Sequence, residues 1–372
     1  MISVTHIITD LDVGGAEMVL LRLLERIDPT ETNSEVISLS RGGALVARLA
    51  RLGVRVTELG PSPLSARNLP RLVRSLRRDP PDVVQTWMYH ADLLGGVAAR
   101  LAGCRRIAWG LHAASLPPEG TGLKARWGLS AAARLSYRIP LKIVCCSEAS
   151  RDAHAGFGYD VSRMRVISNG FETAERPADA AHNLRSELGI ESGLLVGRVG
   201  RYHEVKDHET FLDAAARISR ERLDVHFVLV GDGITPENLE LGSMIRVRGL
   251  EDRTHLLGRR NDMVAVTAAL DVSVSSSRYG EALPLVLGEA MSLGVPVVAT
   301  DVGDSARLID DRARVAPPGD AAALARAILG VLALEPGDRL VLGTRDRDRI
   351  AERYSLTQMV QSYSDLHLSL AR

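Results

Sequence analysis

At 372 residues the chain is too long for one ordinary hydrophobic core and suits two domains. Its 45% hydrophobic and 25% charged content is that of a globular protein, which excludes a disordered chain. A formal net charge of zero argues against a nucleic-acid protein that depends on a broad positive field.

The opening "MISVTHIITDLDVGG" alternates like a strand and lacks the positive flank and cleavage site of a secretory signal. No run is long and apolar enough to span a bilayer. Cys104, Cys145 and Cys146 are odd in number and two are adjacent, so no disulfide framework is suggested. The expected compartment is the cytoplasm. Basic residues are nearly all arginine, and lysine occurs only at Lys124, Lys142 and Lys206, so each lysine stands out against that background.

Strand-like runs alternate with amphipathic helical stretches, the pattern of a parallel sheet wrapped by helices. In the first half "SVTHIIT", "SEVISLS", "VRVTEL", "DVVQTW", "RIAWGLH" and "KIVCCS" read as strands, with "RVISNGFET" as the last. "GAEMVLLRLLERI", "LPRLVRSLRR" and "ADLLGGVAARLAG" read as helices. The polar stretch "AERPADAAHN" breaks the pattern and predicts a linker. The alternation then restarts. "LLVGRVGR", "VHFVLVGDG", "IRVRGL", "THLLG", "DVSVSSS" and "VPVVATD" read as strands, and "DHETFLDAAARISRE", "PLVLGEAMSL" and "AAALARAILGVLAL" as helices. Two such α/β units in tandem imply a cleft between them, with ligands at the carboxyl ends of parallel strands.

The stretch "YGEALPLVLGEAMSLGVPVVAT" places Glu281 and Glu289 around an apolar run. Pro284 suits the first helical position and Gly294 the stop. The free amides near Leu285 and Val286 would then attract an oxygen-rich or anionic group. Glu289 stands about 7.5 Å further along the axis, so the two carboxylates can grip different hydroxyl pairs of one extended polyol. The alternative is a helix cap and a solvated face residue. In "VGRVGRYHEVKDHETF", Arg201 and Lys206 at one strand mouth form a pyrophosphate pocket, or a solvated turn paired with Glu204, Asp207 or Glu209.

Gly14 and Gly15 lie between a strand and a helix and let backbone approach a ligand, but neither this turn nor "VGDG" completes G-x-G-x-x-G. That disfavours a nicotinamide dehydrogenase. The D-x-D at Asp10 and Asp12 is rejected as a metal site, and Asp346 and Asp348 are read as helix surface. His112 and His90 end neighbouring strands and could meet ligand hydroxyls or acceptors, or be satisfied loop histidines. Arg67, Arg71, Arg74, Arg77 and Arg78 form either a solvated helix face or a contact for anionic lipid.

In their order and spacing, "GGAE" at Gly14 to Glu17, His112, "ISNGFE", Arg201 with Lys206, "LVGDG", "LLG" ending at Gly258 and the E-x7-E at Glu281 and Glu289 resemble the retaining glycosyltransferases of family 4. The resemblance runs over nearly the whole chain. It implies the GT-B fold: α/β, two Rossmann-like parallel-sheet domains facing a central cleft. The first would cover 1–175, joined by a C-terminal helix at about 355–372, and the second 185–352. It implies a sugar moved from a nucleoside-diphosphate donor, UDP-linked by frequency in the family, to a glycan, lipid-linked or natural-product hydroxyl.

By the same resemblance, His112, Arg201, Lys206 and Glu281 carry catalysis. Gly14, Gly15, Gly200, Gly258, Ala282, Leu283, Pro284, Leu285 and Glu289 hold the donor, and His90 and Asn169 the acceptor. Hinge closure would assemble the site. No metal, no cofactor beyond the co-substrate and no nucleic acid are expected, with peripheral contact at the inner membrane face left open. "EALP" departs from the family's "EGFP"-type turn, and Ser168 stands where "PNG" is usual. Rival readings are a GT-B nucleotide-sugar epimerase and a non-catalytic nucleotide-sugar binding protein.

Overall fold

The computed structural model describes residues 1–63, 65, 67–114 and 123–372, with the backbone alone for 123–125. Lys124 therefore has no described side chain. The chain forms two compact units, residues 1–170 with 356–372, and residues 171–355.

The first unit has β1 (Ile2–Ile8), β2 (Thr32–Ser40), β3 (Arg55–Gly60), β4 (Val83–Trp87), β5 (Ile107–Leu111), β6 (Lys142–Cys145) and β7 (Met164–Val166). Its helices are α1 (Gly15–Arg26), α2 (Val46–Arg51), α3 (Asn68–Arg78), α4 (Tyr89–Ala102), α5 (Leu123–Ser136) and α6 (Glu148–Gly156). The strands pair in parallel in the order β3-β2-β1-β4-β5-β6-β7. The order reverses between β1 and β4, where such sheets open a crevice at their carboxyl ends. Helix α4 lies close on the sheet because its glycines permit it. A Cβ at Gly95 would stand 3.1 Å from Ile7, and one at Gly96 would stand 2.6 Å from the Trp109 indole nitrogen.

The second unit has β8 (Leu194–Val199), β9 (Val225–Val230), β10 (Thr254–Leu256), β11 (Val272–Ser275), β12 (Val297–Thr300) and β13 (Val315–Ala316). Its helices are α7 (Ala180–Leu188), α8 (His208–Glu221), α9 (Leu239–Arg246), α10 (Met263–Ala268), α11 (Leu285–Ser292), α12 (Ser305–Ile309), α13 (Ala321–Leu332) and α14 (Pro336–Arg353). The parallel order is β10-β9-β8-β11-β12-β13, reversing between β8 and β11. Phe211 of α8 and Phe227 of β9 meet edge to face with ring centroids 6.1 Å apart in the core. Burial of such a ring contributes about 2 kcal/mol. The last helix, α15 (Leu356–Ala371), belongs to the first unit and packs on α1.

Four expectations are corrected. "IRVRGL" is not a strand: Asn238 caps α9, Leu241 and Ile245 are buried at helical spacing, and Gly249 (φ 65°) ends the turn. "RVISNGFET" is strand only to Val166. The "AERPADAAHN" stretch includes the first turn of α7, so the break between units comes earlier, after Gly170. Asp346 is not surface: it is buried and accepts from both terminal guanidinium nitrogens of buried Arg314, at 2.5 and 2.8 Å. An alternating Arg-Asp run hides one inward carboxylate because only one of four neighbours on a helix faces the core.

Candidate active site

In the second unit the turns after β8, β9 and β10 are tied together by backbone. Gly200 N–H donates to Val230, Tyr202 N–H to Asp232, and Gly231 N–H to Gly258. Gly200 (φ 152°) and Gly258 (φ 63°) take the left-handed conformations that glycine tolerates. Gly200 has a second reason to lack a side chain, since a Cβ there would stand 2.6 Å from the Arg198 guanidinium.

This turn carries Arg201, which is exposed, and Lys206, which is half-buried. Asp207 (φ 48°) caps α8: its carboxylate accepts from the Thr210 amide at 3.1 Å, the Thr210 hydroxyl at 2.7 Å and Arg278 at 3.0 Å. His208 donates from Nε2 to the Arg201 carbonyl at 3.1 Å. Burial first, and the Arg198 charge second, push its pKa down to about 3, so the ring is neutral.

Lys206 does not pair with Glu204, Asp207 or Glu209. Its ammonium meets Glu281, 75 positions along the chain, and the Ser277 hydroxyl donates to the same carboxylate oxygen at 2.9 Å. Glu281 therefore does not cap α11. Pro284 is the N-cap rather than the first helical residue, since its ψ of 112° is extended. It still serves the turn, because its carbonyl accepts from Leu287 and Gly288 and leaves the Leu285 and Val286 amides without an intrahelical acceptor.

The "EALP" turn finds its left-handed residue at Gly280 (φ 85°), so Ala282 need not adopt one. Ala282 and Leu283 are buried, and the Ala282 carbonyl is taken by Asp304 N–H at 2.8 Å. Their side chains thus shape the loop from behind. Glu289 is half-buried on the second turn of α11. Next to it Gly288 admits the Phe171 ring, which a Cβ would strike at 2.2 Å, and so the "ISNGFE" phenylalanine seats this helix.

In the first unit Gly14 is the N-cap of α1. Gly15 follows it, exposed, with open space where a Cβ would stand. The Asp10 carboxylate accepts from Asp12 N–H at 3.1 Å, a local turn. His90 is exposed in the first turn of α4. His112 follows β5 and stacks on Trp87 with centroids 5.0 Å apart and planes 24° apart. Its Nε2 is buried, and burial pushes its pKa down to about 4, so the ring is neutral at working pH. Asn169 is buried, with its Oδ1 unpartnered among the described residues.

Three residues around Lys206 escaped the sequence reading. Arg198 is buried within β8, and Ser276 and Ser277 follow directly on β11. A cation inside the apolar run "LLVGRV" and three serines closing an apolar strand were the available signals.

Parallel sheets with polar strand ends, and a cation–carboxylate pair beside a helix N-terminus, define a nucleotide-type α/β enzyme site. Residues 13–175 match the model of Glycosyltransferase Family 4, and residues 193–333 that of Glycosyl transferases group 1. The 2-deoxystreptamine glucosyltransferase of Streptomyces kanamyceticus is 30% identical over 71% of this chain and 71% of its own. The UDP-Gal:alpha-D-GlcNAc-diphosphoundecaprenol alpha-1,3-galactosyltransferase of Escherichia coli is 26% identical over 82% of this chain and 79% of its own. Anabaena HepE, crystallised with UDP-glucose, has the same fold, with a TM-score of 0.86 at 24% identity over 99% of this chain and 100% of its own. The chain is a GT-B glycosyltransferase and belongs to glycosyltransferase family 4.

Proposed function

We propose that the enzyme transfers a sugar from a UDP-sugar, with retention and without a metal, to a hydroxyl of a glycan or lipid-linked acceptor. The observation that carries this reading is the Lys206–Glu281 pair beside the open amides of α11. Lys206 and Arg201 would draw off the negative charge that builds on the departing diphosphate, the usual source of rate in such transfers. Glu281, held on one oxygen by Lys206 and Ser277, has its second oxygen for a sugar hydroxyl. Glu289, further along α11, suits the ribose hydroxyls. A carboxylate tied to a cation is a poor nucleophile, which favours front-face attack assisted by a donor phosphate oxygen over a covalent glycosyl-enzyme.

UDP is supported by the galactosyltransferase relative and by the ligand of the HepE crystals. Among the described residues no helix is long and apolar enough to cross a membrane. Cytoplasmic location with peripheral contact at the inner membrane face, through the arginines of α3, completes the reading. Arg71 and Arg77 already spend bonds on the Leu59 and Leu101 carbonyls, so Arg67 and Arg74 carry most of that contact. Flotation with anionic and neutral vesicles tests it, and equal binding to both refutes it.

The test of the main reading is transfer from a panel of nucleoside-diphosphate sugars in EDTA, with the product anomer read by NMR. Turnover is expected to persist in EDTA. Lys206→Ala and Glu281→Gln should each lower kcat roughly 10²–10³-fold. Rates untouched by both variants, or an inverted product, would overturn it.

A further inference from the structure

Among the described residues Arg198 is the largest charged side chain that is fully buried, at 1% exposure. It sits in β8 under the turn that carries Arg201 and Lys206. Its Nη2 donates to the Lys206 carbonyl, its Nη1 to Val199 at 3.3 Å and its Nε to the Ser276 hydroxyl at 3.3 Å. Ser276 in turn shares its one hydroxyl proton between the Lys206 and Asp207 carbonyls, both at 3.0 Å. Every acceptor is therefore neutral.

Among the described residues no carboxylate lies within ion-pair distance of Arg198, whereas buried Arg314 has Asp346. The nearby acids are spent elsewhere, Glu281 on Lys206 and Asp207 on Arg278. Burial lowers the Arg198 pKa to about 10, and the more distant Glu281 and Asp207 charges partly offset this, so it stays charged at neutral pH. Burying a cation without an adjacent anion is costly unless something else brings the counter-charge. A hydrophobic residue would fill the strand at less cost.

We propose that Arg198 is a positioning residue for the donor diphosphate: it fixes the 199–207 turn so that Lys206 faces Glu281, and its buried charge is balanced by the anion of the bound donor. The proposal rests on the nucleoside-diphosphate reading above. Arg198 acts through the backbone of Lys206 and through its field, and need not touch the ligand.

Calorimetric titration of UDP, GDP and uridine into the wild-type chain and into Arg198→Met, Arg198→Lys and Ser276→Ala tests it. Wild type should bind one diphosphate more tightly than uridine; equal affinity for all three would refute the donor reading itself, and this inference with it. Given that preference, Arg198→Met should weaken diphosphate binding roughly 10- to 100-fold while uridine binding stays within about twofold. Arg198→Lys should restore part of the loss. Equal weakening of diphosphate and uridine, or unchanged diphosphate binding, would overturn the proposal. Should Arg198→Met not fold, Ser276→Ala decides: it removes the hydroxyl relay but keeps the charge. A several-fold loss confined to the diphosphate supports the inference, and no loss refutes it.

Discussion

In the second unit the buried arginines and aspartates have polar partners. Arg314 has both oxygens of Asp346, Asp207 has Thr210 and Arg278, and the Arg198 donors are taken up by two carbonyls and a serine. In the first unit three buried histidines, His6, His154 and His367, sit instead in aromatic stacks. His6, Trp87, His112, Tyr363 and His367 lie ring against ring, with centroids 5.0 to 6.0 Å apart. His6 Nε2, both His367 nitrogens and the Tyr363 hydroxyl lack protein partners among the described residues. The same sheet plan thus carries a fixed charge lattice in one unit and a neutral imidazole core in the other. Buried paired charges do not survive deletion of a partner; buried neutral imidazoles tolerate trimming but not acid.

The largest expected effect breaks the lattice. Arg314→Ala leaves Asp346 buried and uncompensated, which costs about 3–5 kcal/mol. Urea unfolding followed by circular dichroism should show it, while Arg314→Met with Asp346→Leu should recover most of the loss. A single-variant cost below about 1 kcal/mol would mean that the pair is no better than a surface bridge.

Acid should strike the other unit. Burial lowers the His6 pKa well below its usual value and the His367 pKa to about 4. Between pH 6.5 and 4 the unfolded chain binds protons that the folded chain refuses. The stability from each ring is therefore complete above pH 6.5 and lost as pH falls towards 4. For His367 this amounts to about 3 kcal/mol. The first unit, with His6, His112 and His367 lowered in this way against His208 in the second, should melt earlier over that range. His367→Leu should flatten the slope, and an unaltered slope would show that the carboxylates dominate.

The contrast also explains what was legible in the sequence. The apolar periods of "SVTHIIT", "VHFVLV" and "VPVVAT" declare strands directly, and Lys206 and Glu281 stand out because they occupy strand-end turns. Arg198, Ser276 and Asp346 did not, because their meaning is set by partners 32 to 78 positions away. The α9 segment misled for a local reason: "IRVRGL" alternates, and only the Asn238 cap upstream shows that a helix is already running. The positions of His112 and Asn169 were readable, but not their inward tilt, which the stack on Trp87 and the packing after β7 impose.

The smallest effect concerns the turn between β4 and α4. Met88 has φ 74° and ψ 160°, a region otherwise left to glycine, at a cost of about 1–3 kcal/mol. Three bonds hold it there: Met88 N–H donates to Gly110, Gly110 N–H to the Asp92 carboxyl, and Asp92 N–H to the Met88 carbonyl. Burial raises the Asp92 pKa to about 8, so at neutral pH the circuit closes through a largely uncharged acid. Met88 is itself half-exposed, so trimming its side chain removes little packing. Met88→Gly should therefore stabilise the first unit by about 1 kcal/mol after the extra chain entropy of glycine, raising its melting midpoint by about 2–4 °C. The second unit should not move. A lower midpoint would mean that the thioether's contacts outweigh the backbone strain. An equal rise in both units would mean that they unfold together, and the contrast between lattice and stack would then have to be measured by local hydrogen exchange instead.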